Sequence, residues 1–355
     1  MKVLIVGFFT KTYMPYINNY EKVLSEKNIS YDVVCFDRDS TGKVKKEGNV
    51  YTFSHKTTAN KFAKLFPVFR YGSYVKKIIK ENKYDKIIVL TTMPGILIYN
   101  ILLKKYSGKY IFDYRDYTYE KYSFFRKMVN RIIDNSYATF ISSDGYKRYF
   151  NDQKNIYLCH NISNIDDVEK NVIDLKKKKN INIGFLGYVR YFDVNSKLIN
   201  DFKNDKKYSL TYIGTPFSDC DLESFCKSND IKNVTLIGKY DNNDKAKLYK
   251  NIDLINSIYS LSSEEVQPAI PNRLYDAALF KKPIIVNNGT YLSEIVEKNG
   301  LGLILDPFNS NIKEVVEKYI DNFDSNKFKN NCNKFLNEIK DDQNNMIKKI
   351  NDFLK

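Results

Sequence analysis

Pro271, Asn272, Arg273 and Asp276 stand together in the segment PNRLYD, where Leu274, Ala277 and Ala278 begin to recur at helical spacing. Proline suits the first turn of a helix, because the N–H it lacks would not have been bonded there. A helix is therefore predicted from Pro271 to about Phe280, with Asn272, Arg273 and Asp276 polar and outward at its entry. Free backbone N–H groups and the positive dipole end make such an entry a seat for an anion. Arg273 adds a planar two-pronged donor, and diphosphate fits that arrangement. One turn further on, Asp276 can accept hydrogen bonds from a vicinal diol such as a ribose. Phosphate and diol together describe a nucleotide.

The surrounding elements must hold that entry in place. A β-branched run, Pro283–Val286, reads as a buried parallel strand, Asn287–Gly289 as a turn, Tyr291–Lys298 as a helix and Leu301–Leu305 as another strand. Upstream, Ile181–Leu186 with Gly187, Leu210–Ile213 with Gly214, and Val234–Ile237 with Gly238 are three strand-to-glycine turns, which let backbone approach a ligand closely. Arg190 follows the first turn. Lys239 and Tyr240 follow the third, where they would border a nucleotide base.

The first half repeats the α/β order, with strands at Lys2–Phe8, Tyr31–Phe36, Ile87–Leu90, Tyr110–Phe112, Ala138–Ser142 and Ile156–Cys159. Gly7 stands alone after the first strand, and a dinucleotide-binding turn would show three spaced glycines there, so an NAD enzyme is disfavoured. Asp113, Arg115 and Asp116 follow the strand Tyr110–Phe112 at the end where open α/β sheets bind ligands. They read either as a catalytic or acceptor-orienting edge, or as an Asp–Arg ion pair bracing a loop. His160 reads as a polar residue at a strand end.

At 355 residues the chain exceeds the length at which one core stops growing, so two domains facing a cleft are expected. The boundaries read as 1–165 for an acceptor domain, 166–180 for a solvated linker, 181–321 for a nucleotide-sugar domain and 322–355 for terminal helices. A net charge of +15 favours an anionic partner: nucleotide phosphates, an anionic membrane or nucleic acid. No nucleic-acid motif accompanies the spread lysines, which ranks nucleic acid last. Five cysteines without metal or redox spacing suit a reducing cytoplasm, and MKVLIVGFF is too short an apolar run for a secretion signal. In Ile87–Leu103, Thr91, Thr92, Pro94, Gly95 and Asn100 break the run too often for a membrane span. A strand, a cap near Thr92 and a helix from Pro94 account for it better. Lys61–Lys80 interleaves basic and aromatic residues and is broken by Pro67 and Gly72. It reads either as two helical pieces with solvated lysines or as a surface for anionic lipid.

The segments PNRLYDAALFKKPIIV and GTYLSEIVEKNGLGLILDP, preceded in order by IGFLGYVR, LTYIGTP and VTLIGKYD, resemble the GT-B glycosyltransferases. The likeness is greatest to the retaining, nucleotide-sugar-dependent, family 4-like enzymes of bacterial capsule and surface-polysaccharide synthesis, and it covers most of the chain. It implies two Rossmann-like domains, with the terminal helix able to cross back to the first. It also implies sugar transfer from a nucleotide-diphosphate donor to a hydroxyl of a lipid-linked saccharide, which with the cysteine usage and the lipid reading of Lys61–Lys80 gives a cytoplasmic protein peripheral to the inner membrane face. Asp276 would bind the ribose, and Arg190 and Arg273 the diphosphate, in a donor site that also includes Gly187, Gly214, Lys239, Tyr240, Asn272 and Leu274. Asp113, Arg115 and Asp116 would orient the acceptor. No cofactor beyond the donor and no metal is expected, since cationic side chains take the metal's role. One departure stands out. Retaining members often carry two glutamates eight apart, whereas Pro268 here lies eight positions before Asp276, with Glu264 and Glu265 just upstream. An epimerase of the same fold and a noncatalytic, degenerate transferase are the alternatives.

Overall fold

Alternation of side chains along the first strands sets up two buried faces on one sheet. The computed structural model describes all residues except 39–44, 56–64, 163–168, 170, 217–219 and 262–263. Two compact units result: Met1–Asn161 together with Asp341–Lys355, and Ile162–Lys340.

In the first unit the strands are β1 (Lys2–Val6), β2 (Ser30–Asp37), β3 (Lys45–Glu47), β4 (Val50–Ser54), β5 (Lys86–Leu90), β6 (Tyr110–Tyr114), β7 (Ala138–Ile141) and β8 (Ile156–Leu158). Their order is β3-β4-β2-β1-β5-β6-β7-β8, parallel except for the β3–β4 hairpin at one edge. Leu4, Val6, Val34, Phe36, Val89 and Phe112 bury one face beneath the helices Leu65–Asn82, Tyr99–Lys105 and Ser123–Asn135. The alternate residues Val3, Ile5, Val33, Cys35, Ile88 and Ile111 bury the other face against the helix Ile17–Glu26 and the chain terminus. That is the period of two expected of a sheet covered on both sides.

The expected break of Lys61–Lys80 at Pro67 and Gly72 does not occur. Leu65–Asn82 is one helix, with Pro67 in its first turn and Gly72 set against Leu97, where an added Cβ would lie 3.1 Å away. Lys61, Phe62 and Lys64 lie outside the described residues. The next helix begins at Thr92 rather than Pro94; Thr91 stands at its N-cap position without a side-chain capping bond, and its φ of 70° is a left-handed value that a β-branched residue seldom adopts.

Six parallel strands form the described sheet of the second unit: β9 (Ile181–Leu186), β10 (Tyr208–Ile213), β11 (Val234–Ile237), β12 (Leu254–Asn256), β13 (Ile284–Asn287) and β14 (Gly302–Leu305). The order β11-β10-β9-β12-β13-β14 reverses between β9 and β12, and ligands of such sheets bind at that switch point, outside the carboxyl ends. Residues 166–168 and 170 of the expected linker lie outside the described residues. The part after them is no solvated hinge, because Leu175 enters the second unit's core and Val172 packs against it. The terminal helix Ser325–Phe353 serves both units. Phe328, Cys332 and Phe335 bury in the second core, and Met346, Ile350 and Phe353 in the first. No helix among the described residues is long and apolar enough to cross a membrane.

Candidate functional site

The helix Asn272–Leu279 starts after Pro271, whose extended backbone (φ −76°, ψ 153°) makes it the N-cap rather than the first helical residue. Its entry is not turned outward as the sequence suggested. Arg273 and Asp276 are buried with Leu274, Tyr275 and Ala277, and only Asn272 is well exposed. Partners from other elements explain this, since a charge goes inside only when its hydrogen bonds are met there.

Arg273 lies across the switch point. Nη1 donates to the carbonyl of Leu186 at the end of β9 (2.9 Å), Nε to Ser257 Oγ just past β12 (3.2 Å), and Nη2 to the Tyr259 hydroxyl (2.5 Å). Its guanidinium carbon sits 4.0 Å from the centre of the Phe185 ring, a cation–π contact that holds the plane of the group. Gly187 follows at once, and a Cβ there would come within 3.2 Å of Nη1. Gly214 is tighter still, because its Cβ would stand 1.9 Å from the Gly187 carbonyl oxygen. With φ of 132° and 139°, these two glycines let β9 and β10 end against each other. The close approach predicted for these turns is thus filled by backbone and by Arg273.

Asp276 is held by residues that the sequence did not single out. Lys245 Nζ reaches both carboxylate oxygens (3.2 and 3.0 Å), and the buried Tyr249 hydroxyl donates to one of them (3.0 Å). Burial first, and the Asp276 carboxylate second, push the Tyr249 phenol well above its ordinary value and raise that of Tyr240 as well. Tyr249 also stacks on Phe280, with ring centres 4.7 Å apart.

The remaining donor-side candidates divide. Leu274 is fully buried in the second core, where its side chain positions the helix. Arg190 is half exposed and pairs with Glu265 at 3.6 Å, and that glutamate sits on the single turn Glu264–Val266. Lys239 is exposed beyond the end of β11. A cavity of about 440 Å³ opens beside it, walled by Val189, Tyr212, Gly214, Pro216, Leu236 and Gly238.

In the first unit Asp113 and Arg115 form the brace that was one of the two readings. Asp113 is wholly enclosed, bonded by Arg115 through two nitrogens (2.5 and 2.9 Å) and by Tyr20 (2.6 Å). Arg115 also donates to the carbonyl of Cys159 (3.2 Å), tying the end of β6 to the residue after β8. Asp116 alone of the three is exposed. His160 contacts Asp342 at 3.0 Å, and Gln343 donates to its carbonyl, so it anchors the terminal helix. Among the described residues no group of three or more His, Cys, Asp or Glu side chains is placed to hold a metal ion.

Residues 163–341 match the family model described as Glycosyl transferases group 1, which is half of the chain and contains the whole switch-point site. The chain belongs to that family. Among curated proteins no sequence relative matches it. Solved structures show the fold of this glycosyltransferase over its full length. Sucrose-phosphate synthase from Thermosynechococcus elongatus superposes with a TM-score of 0.72 at 11% identity, covering 98% of this chain and 97% of that one. Anabaena HepE in complex with UDP-glucose gives 0.67 at 13% identity, with 100% and 99% covered. The lipopolysaccharide outer core galactosyltransferase WaaB, in its apo form, gives 0.67 at 14% identity, with the same coverage. The GT-B architecture inferred from the five segments is therefore the architecture of this transferase.

Proposed function

We propose that this glycosyltransferase moves a sugar from a nucleotide-diphosphate donor, with retention, to a hydroxyl of a lipid-linked bacterial surface or capsular saccharide on the cytoplasmic side. The observation that carries the donor reading is Arg273 spanning the ends of β9 and β12 at the switch point, one turn from Asp276. A guanidinium there stabilises charge developing on a departing diphosphate, with Arg190 reaching in from the glycine turn. Asp276 takes the ribose, exchanging part of its contact with Lys245 for the diol. The flat base enters the cavity beside Gly214 and Gly238, whose wall also carries Asp221 and Glu223 as partners for its polar edge, and Lys239 and Tyr240 follow Gly238 in the chain. The donor is bound without a metal, and the exposed Asp116 is the acceptor-side residue. HepE, crystallised with UDP-glucose, lends support to a nucleotide-sugar donor.

Melting temperature measured against UDP, GDP and ADP tests the donor site, since a ligand of the folded state raises it by mass action. Absence of any shift at millimolar ligand would overturn the reading. A noncatalytic binding role is favoured by one feature, Pro268 where retaining members often carry an acid. Slow hydrolysis of a nucleotide sugar by purified protein would exclude that role. A sugar epimerised in the absence of acceptor would point instead to the epimerase.

A further inference from the structure

Apart from Tyr13, the most exposed aromatic side chains of the first unit gather at the starts of two helices. On Leu65–Asn82 they are Phe66 and Phe69, 62% and 64% exposed, with Leu65 beside them. At the start of Ser123–Asn135 they are Phe124, 68% exposed, and the preceding Tyr119 and Tyr122. Each helix links two parallel strands, β4 to β5 and β6 to β7, and so runs opposite to the strands. Both starts therefore lie at the carboxyl end of the sheet. Both helices also bury their apolar sides in the same core, with the helix Thr92–Leu97 packed between them. The two aromatic groups share one rim of one face.

Within these two segments the exposed charge has one sign, although the exposed Asp116 stands just before the second. Leu65–Lys80 contains no acidic residue. Between Tyr117 and Ile133 the single acid is Glu120, which is wholly buried, while Lys121, Arg126, Lys127 and Arg131 are exposed. The cations are interleaved with the rings: Arg70 lies 5.7 Å from the centre of Phe66, and Lys121 lies 5.4 Å from that of Tyr122. A protein partner would require acidic and apolar groups in matching places. A sheet of negative headgroups over hydrocarbon requires only what is present, rings for shallow insertion and cations at the same depth.

We propose that this rim, Leu65–Arg70 together with Tyr119–Lys127, docks the first unit on an anionic lipid bilayer. The inference deepens the transferase reading, because it brings the protein to the surface that carries a lipid-linked acceptor. It adds a second element, Tyr119–Lys127, to the basic stretch visible in the sequence. Binding is reversible and weakens with salt, since neither group of rings spans the hydrocarbon and surface charges are screened within about 10 Å at 0.1 M salt.

The test is co-sedimentation of the full-length chain with vesicles of phosphatidylcholine alone, or of phosphatidylcholine mixed with phosphatidylglycerol. Wild type is expected to bind the anionic vesicles at least about tenfold better. Phe124→Ser, and separately Phe66→Ser with Phe69→Ser, should each weaken that binding by about fivefold or more, because rings that are more than half exposed are removed. Lys121→Glu with Arg126→Glu and Lys127→Glu should abolish the preference for anionic lipid. Wild type that ignores vesicles, binds both kinds equally, or instead self-associates through the rim overturns the proposal, as does unchanged binding by the Phe124→Ser variant. Nucleoside diphosphate binding, measured on the same samples, stays at the wild-type level in every variant. Its loss in wild type would count against the transferase reading and leave the docking result standing.

Discussion

Replacing Arg273 by lysine keeps the positive charge and removes the fork. A guanidinium carries five N–H donors, and three of them are spent on Leu186, Ser257 and Tyr259, which leaves two for a ligand. Lysine's single nitrogen can retain about one of the three bonds. Each bond from a charged donor contributes about 1.5–3 kcal/mol, and water can reach the half-buried Tyr259 hydroxyl. The net loss is therefore about 2–4 kcal/mol, the cation–π contact with Phe185 being partly kept by the ammonium. For a unit of this size each kcal/mol shifts the melting temperature by about 2–4 °C, so scanning calorimetry should record a fall of roughly 5–15 °C. Titration calorimetry with UDP, GDP and ADP, at a temperature where the variant is folded, should show at least about tenfold weaker binding of whichever nucleotide binds wild type. Tyr259→Phe, which removes only one partner, should lower stability by about 1 kcal/mol with a smaller change in affinity. Unchanged melting and unchanged affinity in Arg273→Lys would refute the switch-point reasoning. Lower melting with unchanged affinity would reduce Arg273 to a brace between strand ends.

Asp276→Ala should weaken nucleoside diphosphate binding measurably by calorimetry and Asp276→Asn less, since the amide oxygen still accepts from a hydroxyl; equal affinity for wild type and the alanine variant would remove the ribose assignment. Gly214→Ala should destabilise the second unit by about 3 kcal/mol or more, because its Cβ would meet the Gly187 carbonyl at 1.9 Å at a φ of 139°, whereas Gly238→Ala, with nothing within 4 Å, should melt close to wild type. Glu120 is buried, which raises its carboxyl above the ordinary range, so its contribution to stability is complete below the unfolded-state value near 4.5 and is lost as pH rises through the folded value. Glu120→Gln should accordingly gain in melting temperature over wild type as pH goes from about 4 to 8, and a constant difference across that range would contradict the burial argument.

The strands were legible because buried parallel strands are continuous apolar, largely β-branched runs, as in Ile284–Asn287 and Lys86–Leu90. The start of the site helix was legible from Pro271, and the backbone turns from Gly187 and Gly214. What the sequence concealed were partners set by tertiary packing. Lys245 reads as one lysine among many, and Tyr249 in LYKNIDL reads as core, yet both converge on Asp276 from 31 and 27 residues away. The inward turn of Arg273 was equally hidden, since a helix pattern reports periodicity and says nothing of a carbonyl at the end of β9 or a ring at Phe185. Val234–Ile237 read as a strand like the others, with nothing to mark it as the sheet's edge, where Leu236 and Ile237 are over 40% exposed. Hydrophobic runs identify strands without identifying their place in the order.

The shared terminal helix imposes an order on biosynthesis. Met346, Ile350, Phe353 and Leu354 belong to the same core as Val3, Ile5 and Tyr20. A ribosome adding about 5–20 residues each second delivers them some 10–40 s after Asn161 has been made. During that interval one face of the first sheet is covered by the helix Ile17–Glu26 but not by the terminal helix, whose Phe328 to Ile339 portion, part of the second core, is made just ahead of Met346. The core that is begun first is thus completed only when Met346 to Leu354 have been made.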